Sequence, residues 1–223
     1  MKKLLLLLLI VPLISISQET KVVQDFGIWT GFDLEKKILK DFDLILKNQI
    51  RTFENNTKID DYLIEIGAKN SINKKFSFSG KIRYTYDLKR FNTAENNFRY
   101  SLDLTYTKPL NKNLLIRYRL KHQREFIDFY HHFSNKKNSL VKSVRNKLKL
   151  IYEYRPQHKM YSSIEVFRLI QIYRMPYFNK FRVLIGNQFR SPIGELDMSI
   201  VIERELNSNY PYSFIFLKTI YKI

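Results

Sequence analysis

A period of two runs through this chain from about Phe42 to about Ile202, in stretches of roughly ten residues. Phe76, Phe78, Ile82, Tyr84 and Tyr86 alternate with Ser77, Ser79, Lys81, Arg83 and Thr85, and Gly80 alone interrupts the apolar row. Phe98, Tyr100, Leu102, Leu104 and Tyr106 alternate in the same way with Arg99, Ser101, Asp103 and Thr105. Leu114, Ile116, Tyr118 and Leu120 do so with Leu115, Arg117, Arg119 and Lys121. Successive side chains of a strand point to opposite faces, so each stretch predicts a β-strand with one apolar side and one polar, largely charged side.

Eleven such segments are expected: Asp25–Asp33, Asp41–Phe53, Asp60–Lys69, Phe76–Asp87, Asn96–Tyr106, Leu114–Arg124, Val144–Tyr154, Met160–Arg168, Lys180–Phe189, Leu196–Glu205 and Tyr212–Ile223. No helical period competes with them, and no Pro/Gly/Ser-rich linker divides the chain. The connections alternate between short ones (Leu34–Lys40, Asn70–Lys75, Thr107–Asn113, Arg155–Lys159, Arg190–Glu195) and longer ones (Leu88–Glu95, Glu125–Ser143, Leu169–Asn179). Several short ones share a pattern, Ile38-x-Lys40-x-Phe42, Ile72-x-Lys74-x-Phe76 and Leu110-x-Lys112-x-Leu114, the mark of a degenerate hairpin repeat.

A soluble antiparallel sandwich also alternates apolar and polar residues. Three features favour a single antiparallel transmembrane β-barrel instead. The segments are nearly twice the usual strand length of about 5–6 residues. Aromatic residues gather at strand ends, with Phe76 and Tyr84/Tyr86, Phe98 and Tyr106, Tyr152, Tyr154 and Tyr212 expected in interfacial belts. The chain also stops on an apolar strand, Phe214 to Ile223, of the kind that outer-membrane assembly machinery recognises. Bacterial barrels usually have an even strand count, so about twelve strands are expected, with an extra one within Gln18–Gln24, or ten if weak segments merge. Short turns would face the periplasm and longer loops the exterior.

The first residues bear on location. Met1, Lys2 and Lys3 form a basic n-region, Leu4 to Ile16 an apolar h-region, and Ser15 to Ser17 supplies small residues for cleavage before Gln18. Residues 1–17 are therefore expected to be a signal peptide and 18–223 an outer-membrane β-barrel domain. The chain has no cysteine, which excludes disulfides and thiolate metal sites. Its formal charge of +18 would suggest nucleic acid in a cytosolic protein. With an export signal, the expected partners are outer-membrane lipid, lipopolysaccharide phosphates and small anionic solutes, and not nucleic acid.

Several phrases resemble the family known as domain of unknown function 2490. They are the early Trp29 strand, Gln49-Ile50-Arg51, Tyr84 to Arg90, Glu95-Asn96 with Arg99, and Arg117 with Arg119. Arg145 with Lys147, Lys149 and Leu150, then Glu165-Val166-Phe167, and Phe181-Arg182-Val183 with Gly186 continue the series. The resemblance implies an outer-membrane-type β-barrel and brings no catalytic residues with it.

If the apolar rows face outward, the opposite rows line the lumen. Lys81, Arg83, Arg99, Asp103, Arg117, Arg119, Lys149, Glu153, Glu165, Arg182 and Glu203 form the candidate lumen cluster. Cross-strand Arg/Glu pairing would fill the interior of a structural or surface barrel. A surplus of cations would alternatively line a narrow, anion-preferring channel. A third alternative, an outer-membrane lipid hydrolase, needs a Ser/His pair on the outer wall. His122 has the outward parity, but no serine is placed convincingly beside it. His131 and His132 with Asp128 are read as solvated loop residues rather than metal ligands, and His158 lies in a turn. No cofactor and no enzymatic activity are expected.

Overall fold

The computed structural model describes residues 22–88, 94–127, 140–171, 174–207 and 211–223. They form one closed barrel of strands β1 (Val23–Leu39), β2 (Phe42–Phe53), β3 (Lys58–Ser71), β4 (Phe76–Leu88), β5 (Ala94–Pro109), β6 (Leu114–Phe126), β7 (Leu140–Arg155), β8 (His158–Gln171), β9 (Arg174–Ser191), β10 (Gly194–Glu205) and β11 (Tyr212–Lys222). Each strand pairs antiparallel with its sequence neighbours. The seam is different: β1 and β11 pair in parallel, Val23 opposite Tyr212 through to Asp33 opposite Lys222.

The parallel seam corrects the expected strand count. Strands that alternate in direction around a ring can close antiparallel only if their number is even. Among the described residues there are eleven, so first and last run the same way. The end of the stretch expected to hold the extra strand, Val23-Gln24, is the beginning of β1, whereas residues 18–21 lie outside the described residues. Two other boundaries move. The expected turn Leu34–Lys40 is mostly strand, because β1 runs on to Leu39. The expected loop Leu169–Asn179 is also mostly strand: β9 begins at Arg174 and pairs with β8 through register shifts at Phe167/Arg168 and Leu169/Gln171. Pro176, which has no N–H to give to a ladder, falls within that irregular stretch.

The short turns show why the sequence repeat exists. At one end of the barrel, the Asn73 side-chain oxygen accepts the backbone N–H groups of Lys75 and Phe76 at 2.8 and 2.9 Å. Asn111 does the same for Asn113 and Leu114 at 2.9 and 2.8 Å. The shared x-Asn-Lys-x pattern is thus a side-chain-capped turn. Ile38-x-Lys40-x-Phe42 carries Leu39 in place of that Asn and turns within Lys40-Asp41 instead. At the opposite end, β2 and β3 are joined through Glu54, Asn55 and Asn56, all at positive φ. The Asp25 carboxylate accepts the backbone N–H groups of Glu54 and Asn55, at 3.1 and 2.9 Å, and ties this turn to β1.

Facing is uniform around the ring. Ile66, Ile82, Leu102, Ile164, Ile185 and Ile200 are exposed on the exterior, Ile82 at 54%. Exterior aromatics gather in two rings. One, near the short turns, contains Phe76, Tyr106, Tyr118 and Tyr152, with Phe76 and Tyr106 rings 5.0 Å apart. The other contains Tyr62, Tyr84, Tyr86, Phe98 and Phe126, with Phe98 and Phe126 6.5 Å apart. Cross-strand aromatic pairs of this kind contribute about 0.2–1 kcal/mol each. Tyr212, expected in a belt, is the exception. It shares the inward face of β11 and stacks on Phe214, which stacks in turn on Phe216. No helix among the described residues is long and apolar enough to cross a membrane.

Candidate functional site

Every residue of the candidate cluster belongs to an inward row, and cross-strand register brings most of them together. Glu65 and Arg83 face each other on β3 and β4, 2.6 Å apart. Asp103 on β5 is held by Lys81 of β4 at 3.0 Å and Lys121 of β6 at 3.2 Å. Arg99 pairs with Glu125, and Glu153 with Lys159 at 3.3 Å. Glu203 on β10 receives both Arg182 and Lys180 of β9, the lysine at 2.8 Å.

Glu165 is the hub. On β8, it accepts Arg145 of β7 at 2.9 Å, and Arg119 reaches it at 2.7 Å from β6, past the intervening strand. Arg182 approaches its other oxygen at 3.8 Å from β9. Glu165 and Asp103 are each only 2% exposed, so their cationic partners enclose both carboxylates. Buried carboxylates need such partners, because isolated buried charge is very costly.

A chord of side chains crosses the interior. The guanidinium of Arg51 on β2 stands over the Trp29 ring at 4.7 Å, and that of Arg182 on β9 stands over the same ring at 4.9 Å. Trp29 on β1 stacks on Phe216 of β11 with centroids 4.4 Å apart. Tyr161, Leu184 and Val201 complete a buried apolar cluster around them. The inward rows of β8 to β1 therefore carry an apolar half, the cluster around Trp29, interleaved with the charges of Glu165, Arg182 and Glu203. The sequence reading found the charges but not this apolar half. Strand β11 is apolar on both faces through Phe214, Ile215, Phe216 and Leu217, so alternation could not orient it. Gly186 belongs to the same arrangement: a Cβ there would lie 2.7 Å from the Tyr161 ring. That close approach leaves the Tyr161 hydroxyl free to donate to Asp197.

Toward the short-turn end the interior opens into a cavity of about 900 Å³. It runs from the turn residues Asn73 and Asn111 inward to Asp103, Arg119 and Lys147. A smaller space of about 170 Å³ lies deeper, between Trp29, Glu65, Arg145 and Glu165. Arg117 and Lys149, both in the candidate cluster, border the larger cavity outside the carboxylate network. Arg117 donates to the Thr107 hydroxyl at 3.4 Å, and the Lys149 ammonium lies over the Tyr161 ring at 3.5 Å. Sequence reasoning missed Lys218 and Lys222 of β11 as inward residues, for the orientation reason just given. Lys222 bonds Glu195 at 3.0 Å and Asp197 at 2.5 Å.

The exterior carries few charges, and four basic ones stand near the end opposite the short turns: Arg124, Lys142, Arg168 and Arg204. Arg124 faces Lys142 directly across β6 and β7. His122 also faces outward, with Leu102 and Val144 as its register neighbours. His158 packs between the rings of Tyr154 and Phe189. Asp128, His131 and His132 lie outside the described residues, among which no cluster of three His, Asp or Glu side chains could hold a metal ion.

Residues 26–192 match the family model described as a protein of unknown function, DUF2490. No curated protein and no solved structure matches the chain.

Proposed function

The chain belongs to the DUF2490 family, and from that premise we propose that it is an integral outer-membrane β-barrel, a structural or surface element whose charged interior is sealed at mid-height. One observation carries this reading: a closed barrel is apolar on its outside and ionic on its inside. Soluble monomers rarely expose contiguous apolar patches above a few hundred Å². Hydrocarbon accepts such a surface, provided that no strand edge is left open. Eight residues separate Phe76 from Tyr84, which at about 3.3 Å per residue and a tilt of about 40° gives an apolar band roughly 20 Å tall.

The basic exterior residues Arg124, Lys142, Arg168 and Arg204 support an orientation. They suit the phosphates of lipopolysaccharide, with the short turns then facing the periplasm. The N-terminal basic and apolar run supports export, and the apolar last strand supports delivery by the barrel assembly machinery. The Glu165 hub and the Arg51–Trp29–Arg182 chord favour a seal over an open channel.

Fractionation and electrophysiology test the proposal. The protein should co-fractionate with outer membranes, resist carbonate extraction and show heat-modifiable gel mobility. In planar bilayers it should give no stepwise current. Recovery as a soluble periplasmic monomer refutes membrane insertion, and large anion-selective steps refute the seal in favour of the channel.

A further inference from the structure

Each carboxylate bordering the large cavity is already paired. Asp33 holds Lys47, Glu35 holds Lys69, Asp103 holds Lys81 and Lys121, Glu153 holds Lys159, and Glu195 and Asp197 share Lys222. Four cations lining the same cavity, Arg117, Lys147, Lys149 and Lys218, form no ion pair among the described residues, although Lys147 stands opposite Glu165 across β7 and β8. Register makes the imbalance sharper: Arg117 faces Lys149, and Arg119 faces Lys147, directly across β6 and β7. Like charges in opposed positions destabilise a sheet. Lys218 stands on β11, on the far side of the ring from β6.

We propose that this vestibule is a binding site for a polyanionic solute carrying two or more phosphate groups, which enters from the short-turn end. Lys147, Lys149 and Arg117 hold one side of it and Lys218 the other. The cavity volume of about 900 Å³ suits a small organic molecule rather than a single ion. Phosphate oxygens accept from Lys and Arg through strong charge-assisted hydrogen bonds. The inference rests on the sealed-barrel reading, because the seal makes this space a blind pocket instead of a pore mouth.

The test uses the detergent-solubilised protein, with its folded state checked by heat-modifiable mobility, and titrates it calorimetrically with sodium tripolyphosphate at fixed ionic strength. Saturable binding near one equivalent is expected. It should weaken about tenfold or more in the double variant Lys147→Gln with Lys149→Gln. Lys218→Gln, a separate variant in case the first does not fold, should weaken it by about threefold or more. Lys58→Gln, exposed beside the β2–β3 turn at the opposite end of the barrel, should leave it unchanged. Absence of saturation in the folded parent, or equal affinity in the parent and the lumen variants, overturns the proposal. Saturable binding together with stepwise bilayer current removes the seal and leaves the site standing.

Discussion

Replacing Glu165 with Gln tests whether the interior is held by its ionic network. The substitution keeps the shape and removes one charge that three guanidiniums share, at 2.7, 2.9 and 3.8 Å. At an effective dielectric near 20, each unit-charge contact at about 4 Å is worth roughly 4 kcal/mol of gross attraction. Most of that is offset by the desolvation of ions in a site where Glu165 is 2% exposed. Removal of one partner from a buried pair nonetheless costs about 3–5 kcal/mol, because the remaining charges stay buried without compensation. The expected loss for Glu165→Gln is therefore about 3–5 kcal/mol. Urea unfolding in lipid vesicles measures it, with fluorescence from Trp29, the one tryptophan, whose ring lies 4.9 Å from Arg182. Adding Arg119→Gln should recover part of the loss, since it removes one of the stranded cations. A cost below about 1 kcal/mol, or strict additivity of the two substitutions, refutes the claim that Glu165 organises the lumen.

Other consequences follow from the two walls. Leu104→Arg places a guanidinium on the exterior between the aromatic rings and should cost about 2–4 kcal/mol in vesicle unfolding, whereas Ser77→Arg, on the cavity wall, should cost less than about 1 kcal/mol. Equal damage would mean that the faces are misassigned. Ser101→Arg should be as harmful as the exterior change despite its inward parity, because Ser101 is buried beside the Lys121 ammonium; a neutral result would show a looser interior. Gly186→Ala places a Cβ 2.6 Å from that of Ser199 and should destabilise by about 1–3 kcal/mol through overpacking, read from the same unfolding curves.

Much of the wall was legible in the sequence because a barrel strand is a local object. The inward row of β4 and the outward row of β5 follow from a strict alternation of two, which needs no knowledge of the neighbouring strand. The same locality explains the turns, where Asn73 and Asn111 bond to backbone two and three residues away. The candidate charges Lys81, Arg83, Asp103, Glu165 and Glu203 could be placed inside on parity alone. Reading failed where the pattern was two-sided, as in β11, and where a bulge let strand continue past a proline, as in β9.

What the tertiary structure decided is pairing and closure. Whether the ring closes on an even or odd count depends on the edges of β1 and β11, which lie at opposite ends of the described chain and meet only when the sheet curls round. Which cations find a carboxylate depends on register and on reach across the lumen. Arg119 finds Glu165 from two strands away, while Arg117, two residues earlier on the same row, faces Lys149. Alternation specifies a side for each residue, but partners are set by the relative shift of strands and by the curvature that brings opposite walls together. For that reason, alternation along the chain is enough to put a basic row on one face of each strand, and only the assembled ring divides the interior into a buried ionic core around Glu165 and a cavity bordered by Arg117, Lys149 and Lys218.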